Sequence, residues 1–154
     1  MNINIKQISK NLILFVIISL LILLSYVIFI GGPKRAYERE DRLFIEAMMK
    51  KEGYNEARLL SRFSLDDVYY ITNVKTEDGH KIVWFNKDLS KVEENDVYEI
   101  DRAYEAAKKL GVSKEKISYG VYEDTLVYVL KGNKFETYLD VDTLDVVFHL
   151  GSDF

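Results

Sequence analysis

The sequence has no cysteine, one proline and two histidines. Without cysteine there can be no disulfide, no zinc thiolate site, no thiol nucleophile and no lipid attached to a cysteine. With one proline, turns must be made mostly by Gly, Asn and Asp. His80 and His149 are far apart in the chain, and such histidines are more often a turn residue and a sheet-face residue than metal ligands or a catalytic base.

Charge is missing from residues 12–30, which also contain no Pro and no Gly. As a helix these residues would span about 28 Å, close to the roughly 30 Å hydrocarbon core of a bilayer. A cleaved signal peptide is the alternative, but its apolar core is usually about 7–15 residues long and is followed by small residues. Phe29 and Ile30 are bulky at that place. We therefore predict a tail over residues 1–11 and an uncleaved transmembrane helix over residues 12–30.

Acidic residues are missing before Pro33 and abundant after it. Beyond Pro33 the chain has 25 acidic residues against 19 basic ones, because Lys6 and Lys10 lie in the tail. A net-acidic region without a Lys/Arg stripe is a poor candidate for nucleic acid, whose phosphates require concentrated positive charge. The 121 residues that follow Pro33 are enough for one ordinary domain or two very small ones.

Helical and strand-forming segments alternate in the first half of this polar region. Residues 34–62 favour a helix, with a break at Gly53. Residues 67–75 and 80–86 are β-branched and aromatic, and the turn signal Glu77-Asp78-Gly79 between them predicts a hairpin. A further short strand is expected near residues 89–92.

The second half repeats this order. Asp96 and Glu99 are spaced as a capping box, apolar residues at helical spacing predict a helix over residues 97–110, and Gly111 marks its end. Four strands are predicted over residues 116–122, 125–131, 135–140 and 145–150. The polar region is therefore predicted to be α+β, with two units that each lay a helix across an antiparallel sheet and pack on each other.

Nearly the whole chain resembles a known family, and two segments carry the most specific part of the resemblance. The sequences VYYITNVKTEDGHKIVWFN, from Val68, and YLDVDTLDVV, from Tyr138, are similar to those of the TseB-like (YpmB-like) family of Gram-positive bacteria. The resemblance implies a single-pass membrane protein with two tandem cystatin-like modules related to PepSY domains, here residues 31–92 and 93–154. It also implies a cytoplasmic amino terminus and extracellular modules, whereas the count of flanking Lys and Arg leaves orientation open. The chain departs from the family at Leu144, where a Gly commonly follows the Asp142-Thr143 turn.

Apparent catalytic and metal motifs have simpler explanations. Ser113 and Lys116 match Ser-x-x-Lys, but the serine follows a helix stop and precedes a strand, where positions i and i+3 point to opposite faces. Asp140, Asp142 and Asp145 lack the Gly and Glu that an EF-hand loop needs. We predict no catalytic, cofactor-binding or metal-binding residues, no enzymatic activity and no small-molecule substrate.

Aromatic residues are the stronger signal, because Tyr and Trp make good interface anchors. A module with one helix covers only one face of its sheet, so apolar residues on the other face must meet the sister module, the long helix or an external partner. Val127 and Val129 belong to this group. The candidates for partner contact are Tyr69, Trp84, Tyr122 and Tyr138.

The predicted function rests on the resemblance. It implies a membrane-anchored regulator that binds and modulates a penicillin-binding transpeptidase in cell-wall elongation. Two alternatives stay open at this point: a PepSY-type inhibitor of an extracellular protease, and a module that binds a glycan or peptide of the wall.

Overall fold

The computed structural model describes the backbone of residues 5–151 and the side chains of residues 12–29 and 34–151. The chain forms two compact units, the first ending at Leu43 and the second beginning at Phe44. Helix α2 (Gly32–Glu52) contributes residues to both units.

The first unit is helical. Helix α1 (Ile5–Tyr26) is followed by a single π-helical turn (Val27–Gly31) and by the first part of α2. Within the described residues, one helix is long and apolar enough to cross a membrane, with a window of mean hydropathy 3.2 that is not buried. The apolar stretch is therefore helical, as predicted, and the helix starts at Ile5, inside the predicted tail.

The second unit begins with a four-stranded antiparallel sheet, sheet 1. Its strands are β1 (Ala57–Ser64), β2 (Val68–Thr76), β3 (Gly79–Asn86) and β4 (Val92–Asn95), in the order β1-β2-β3-β4. The predicted hairpin of β2 and β3 is confirmed, with Thr76 opposite Gly79. Strand β4 starts at Val92, where the short strand was expected to end, so sheet 1 extends three residues past the predicted module boundary.

The predicted helix over residues 34–62 is wrong beyond Glu52. Gly53 adopts a φ of +81°, and the N–H groups of Gly53 and Tyr54 both donate to the Met49 carbonyl, which closes the helix. The chain then forms β1, which pairs with β2. A register shift between Leu59 and Ser61 turns the strand, so that Leu59 packs on the α2 side and Phe63 on the opposite side of the sheet.

The end of α2 covers one face of sheet 1. Met48 of α2 is fully buried with Tyr70, Val74, Val83 and Phe85 of the sheet. The Tyr70 and Phe85 rings stack with centroids 5.3 Å apart. This arrangement is the predicted helix laid across a sheet.

Sheet 2 follows helix α3 (Ile100–Lys109) and a 3₁₀ turn (Lys114–Lys116). Its strands β5 (Ile117–Tyr122), β6 (Thr125–Lys131), β7 (Phe135–Asp140) and β8 (Val146–Gly151) are antiparallel in sequence order. All four predicted strands are confirmed to within one residue at each end.

The predicted capping box is wrong. Helix α3 starts at Ile100 after Glu99, whose side chain makes no capping bond, and the Asp96 carboxylate accepts a hydrogen bond from Lys81 Nζ at 2.7 Å. The predicted stop is confirmed, because Gly111 has a φ of +69° and the next residue, Val112, donates its N–H to Ala107 at 2.9 Å.

Tyrosines attach the start of α3 to sheet 2. The Tyr128 hydroxyl donates to the Glu99 carbonyl at 2.8 Å, and the Tyr119 hydroxyl donates to the Tyr98 carbonyl. Ala103 and Ala107 of the helix are fully buried against the sheet, where their small side chains permit close approach. The other face of sheet 2 packs on sheet 1.

Candidate interaction surface

The four aromatic candidates lie at the junction of the two sheets. Tyr69 of β2 and Trp84 of β3 share one face of sheet 1, with ring centroids 5.8 Å apart. Tyr122 of β5 and Tyr138 of β7 lie on the facing side of sheet 2, with centroids 5.7 Å apart. Three of the four are nearly inaccessible, since Tyr69, Trp84 and Tyr138 expose 3%, 1% and 3% of their surface.

Phe63 of β1 lies in the same core as the aromatic pair of sheet 1 and the aromatic pair of sheet 2. Its ring lies edge-on to Tyr138, with centroids 5.6 Å apart, and Phe148 of β8 lies 4.9 Å from Tyr138 on sheet 2. Such edge-to-face and tilted ring pairs stabilise a core beyond the area that they bury. Next to them, Ser61 Oγ donates to the Tyr119 carbonyl at 2.9 Å, which satisfies an edge group of β5.

The buried valines at the junction confirm one prediction. Val127 and Val129 were expected to meet the sister module, the long helix or a partner, and they are 1% and 0% exposed in one continuous core with Phe63 and Trp84. The sister module is therefore what covers this face. An external partner could reach Tyr69, Trp84 or Tyr138 only if the two sheets separated.

The junction is electrically neutral inside and charged at its rim. Burial raises the pKa of Tyr138 to about 12, and burial followed by the charge of Asp66 raises the pKa of Tyr69. Both phenols therefore keep their protons at neutral pH. At the rim, Lys91, which directly precedes β4, donates to Asp124 of the β5–β6 turn.

The residues of the apparent catalytic motif and the two histidines bind neighbouring polar side chains or turns. Ser113 precedes the 3₁₀ turn, and Lys116 Nζ donates to Asn133 Oδ1 at 3.4 Å. His80 Nδ1 lies 2.8 Å from Asn73 Oδ1 on the exposed hairpin. His149 Nδ1 lies 2.8 Å from Thr137 Oγ1.

The three aspartates of the last turn bind backbone and a phenol. Asp140 Oδ1 accepts the N–H groups of Asp142 and Thr143, both at 2.9 Å, and Asp142 Oδ1 accepts the Tyr98 hydroxyl at 2.5 Å. Leu144 has a φ of +63°, so the turn keeps the left-handed conformation although the expected Gly is missing. Across residues 5–151, no group of three His, Cys, Asp or Glu residues is placed to hold a metal ion.

An open cleft of about 510 Å³ lies beside the end of α2. Glu52, Glu56, Lys75 and Glu77 contribute to its lining, and at its edge the Tyr54 hydroxyl donates to Glu94 Oε2 at 2.8 Å. Burial and this hydrogen bond raise the pKa of Tyr54 to about 12. The lining therefore mixes charges of both signs.

Sequence reasoning missed the apolar surface that remains exposed outside the apolar helix α1. Strand β8 contributes Val146, Val147 and Leu150, which expose 50%, 43% and 64% of their surface. Leu60, Leu65 and Val97 add isolated apolar positions. The sequence of β8, VVFHLG, contains no charged residue, and this was the signal that could have indicated an exposed apolar strand.

Comparison with models of known families, with curated proteins and with solved structures finds no match to this chain.

Proposed function

We propose that this chain is a membrane-anchored regulatory protein of cell-wall elongation. Its amino terminus lies in the cytoplasm, and its two cystatin-like modules lie outside the membrane, where they bind and modulate a penicillin-binding transpeptidase. The observation that carries the proposal is the pair of four-stranded antiparallel sheets, each with a helix on one face. This is the arrangement that the resemblance to the TseB-like family implies.

The apolar helix supports the anchoring part of the proposal. Its side chains from Leu12 to Phe29 are exposed, although a soluble helix would turn such residues inward. A helix with this composition is stable in hydrocarbon, where its backbone groups are satisfied internally. The polar modules would then be held at the surface where cell-wall enzymes work.

The packing of the modules supports action by contact. Both faces of sheet 1 are buried, one by Met48 of α2 and the other by sheet 2, so no deep groove opens between the sheets. The phenols of Tyr69 and Tyr138 keep their protons at neutral pH, and both rings are buried between the sheets. A protein built in this way presents a rigid outer surface to its partner.

Photo-crosslinking in cells tests the proposal. A photoreactive residue is placed at Leu60, Leu65 or Val97, which expose 37%, 50% and 40% of their surface, and the linked proteins are identified. The same cells kept in the dark are the matched control and should show no linked protein. We expect a penicillin-binding transpeptidase to be linked from at least one exposed position.

Other outcomes would contradict the proposal. Recovery of an extracellular protease would favour the inhibitor, and recovery of wall glycan or peptide would favour the wall-binding module. If no exposed position yields more linked transpeptidase after irradiation than in the dark, the proposal is contradicted.

A further inference from the structure

A basic face lies where the polar part of the long helix begins. The helical stretch is continuous from Leu12 to Glu52, so the first turns of α2 follow directly on the apolar stretch. Arg35, Arg39 and Arg42 are exposed and line one open depression of about 250 Å³. Their spacings of four and three residues place them on one side of the helix. These three residues are the arginine face.

The neighbouring acidic residues of α2 do not neutralise the arginine face. Glu38 also lines the depression, but its carboxylate lies 3.8 Å from Lys34 Nζ, which approaches it from the side away from the arginines. Glu40 and Asp41 lie roughly 130° around the helix from the middle of the arginine face and so point to other sides. The positive charge is therefore concentrated on one side of this part of the helix.

The basic charge lies at the end of this face that is nearest the apolar stretch. Arg35 and Arg39 follow Ile30 by five and nine residues, which is about 8 and 14 Å along the helix. The acidic residue on the same side, Glu46, comes one turn beyond Arg42. Among the side chains that the structure describes, neither Arg35 nor Arg39 forms a salt bridge. These two guanidinium groups can therefore bind a ligand.

The phosphate layer of a bilayer fits this position. If residues 12–30 fill the hydrocarbon core, the headgroup layer occupies about the next 5–8 Å, which is the level of Arg35. Helical side chains lean toward the helix N-terminus, which here means toward the membrane, and long arginine side chains extend to the interface. Arg39 therefore reaches the same layer from one turn above. A guanidinium group binds phosphate oxygens through two parallel N–H bonds.

We propose that the arginine face binds the headgroups of anionic phospholipids in the leaflet from which α2 emerges. Zwitterionic lipids carry the same phosphate, but their cationic amine repels the guanidinium groups and weakens the attraction. An anionic headgroup such as phosphatidylglycerol has no amine, and basic residues next to a membrane helix attract such lipids. The inference rests on the anchoring part of the proposed function and not on the transpeptidase, and it holds in either orientation.

Lipid crosslinking in nanodiscs tests this binding. The full chain is inserted into phosphatidylcholine discs that contain a small fraction of photoreactive phosphatidylglycerol or, in parallel, photoreactive phosphatidylcholine. We expect about fivefold more linking to phosphatidylglycerol, and this excess should fall as salt is added. The double variant Arg35→Gln, Arg39→Gln keeps good helix formers and should lose the excess. The matched control Lys108→Gln, Lys109→Gln removes the same charge from exposed positions of α3 and should keep it.

The outcomes separate the lipid from other ligands and from the anchoring. Equal linking of both lipids to the unchanged chain, or an equal loss in both double variants, would overturn the proposal. Inorganic phosphate should displace the lipid no better than chloride at the same ionic strength, and better displacement would assign the face to soluble phosphate instead. A chain that does not elute with the discs contradicts the anchoring and this inference together, whereas insertion with equal linking contradicts this inference alone.

Discussion

Gly120 of β5 lies directly against the ring of Phe63 of β1. A Cβ on Gly120 would lie 2.9 Å from Phe63 Cδ2 and 2.6 Å from Val129 Cγ2, which is closer than carbon atoms pack. The two sheets therefore approach each other so closely here that only glycine fits. This contact lies in the core that the two sheets share.

Gly120→Ala should destabilise the protein. The added methyl group must displace Phe63 or Val129, and overpacking of this kind costs about 1–3 kcal/mol. Denaturant unfolding of the full chain in detergent, followed by the fluorescence of Trp84, measures the loss. Adding Val129→Ala makes room for the methyl group, so the double variant should lose less stability than the sum of the two single variants. Additive losses would contradict the contact.

The two sheets should unfold in one cooperative transition. Trp84, the single tryptophan, lies on sheet 1 and reports the unfolding of its surroundings. Val129→Ala removes buried methyl groups from sheet 2 and should lower the stability reported by Trp84 by about 2 kcal/mol. The exposed variant Val147→Ala is the control and should leave the transition in place. If Val129→Ala does not move the Trp84 transition, the modules do not share a core.

Local sequence patterns predicted most helices and strands. The predictions that were wrong concern residues whose structure depends on contacts with distant parts of the chain. Strands β2 and β3 and all of sheet 2 follow from alternation and turn residues. Strand β1 did not, because Ala57, Leu59 and Arg62 are good helix formers, and pairing with β2 overrides that preference. The capping box failed because Lys81, a residue on another strand, binds Asp96.

The candidate surface was predicted only in part. The requirement that a sheet covered on one face must bury the other correctly predicted a cover for Val129, and the structure shows that this cover is sheet 1 and not the long helix. The preference of Tyr and Trp for interfaces was used to propose contacts with an external partner at Tyr69, Trp84, Tyr122 and Tyr138. Residue type alone does not distinguish an interface inside the chain from one with another protein. The exposed apolar residues of β8 were missed because their exposure depends on strand order, and β8 lies at the end of sheet 2.

Glu123→Asn should stabilise the β5–β6 hairpin. Glu123 and Asp124 adopt φ values of +48° and +59°, as in a type I′ turn, which favours Asn over Glu at its first position. Because Asn is better tolerated in the left-handed conformation, we expect a gain of about 0.5 kcal/mol in the free energy of unfolding. Glu77→Asn in the β2–β3 turn is the control, since Glu77 is not left-handed. An equal gain from both changes would contradict this explanation.

The protein should lose stability in alkali before its folded tyrosines ionise. Burial raises the pKa of Tyr128 and Tyr138 to about 12, and the hydrogen bond to Asp142 raises that of Tyr98 to about 12. The unfolded chain releases these protons near pH 10, so their stabilisation is complete below about pH 10 and is lost as pH rises to about 12. Denaturant midpoints measured from neutral pH to pH 12 test this; a flat profile would contradict it.

Tyr128→Phe should separate the hydroxyl contribution from packing. The variant loses the bond to the Glu99 carbonyl, and we expect a loss of about 1 kcal/mol near neutral pH. The free energy of unfolding of this variant should also fall less steeply above pH 10, because it lacks one tyrosine whose pKa is raised in the folded protein. Thr125→Ala removes an exposed hydroxyl that does not titrate and should keep the original slope. An unchanged slope in Tyr128→Phe would show that this phenol is not protected by the fold.

Protease treatment of intact cells that carry the chain with a different tag at each end tests the central claim most directly. If the apolar helix anchors two extracellular modules, the carboxyl-terminal tag is lost and the amino-terminal tag survives. The cytoplasmic tag should be digested only after the cells are broken. Survival of the carboxyl-terminal tag in intact cells would place the modules inside and contradict the account.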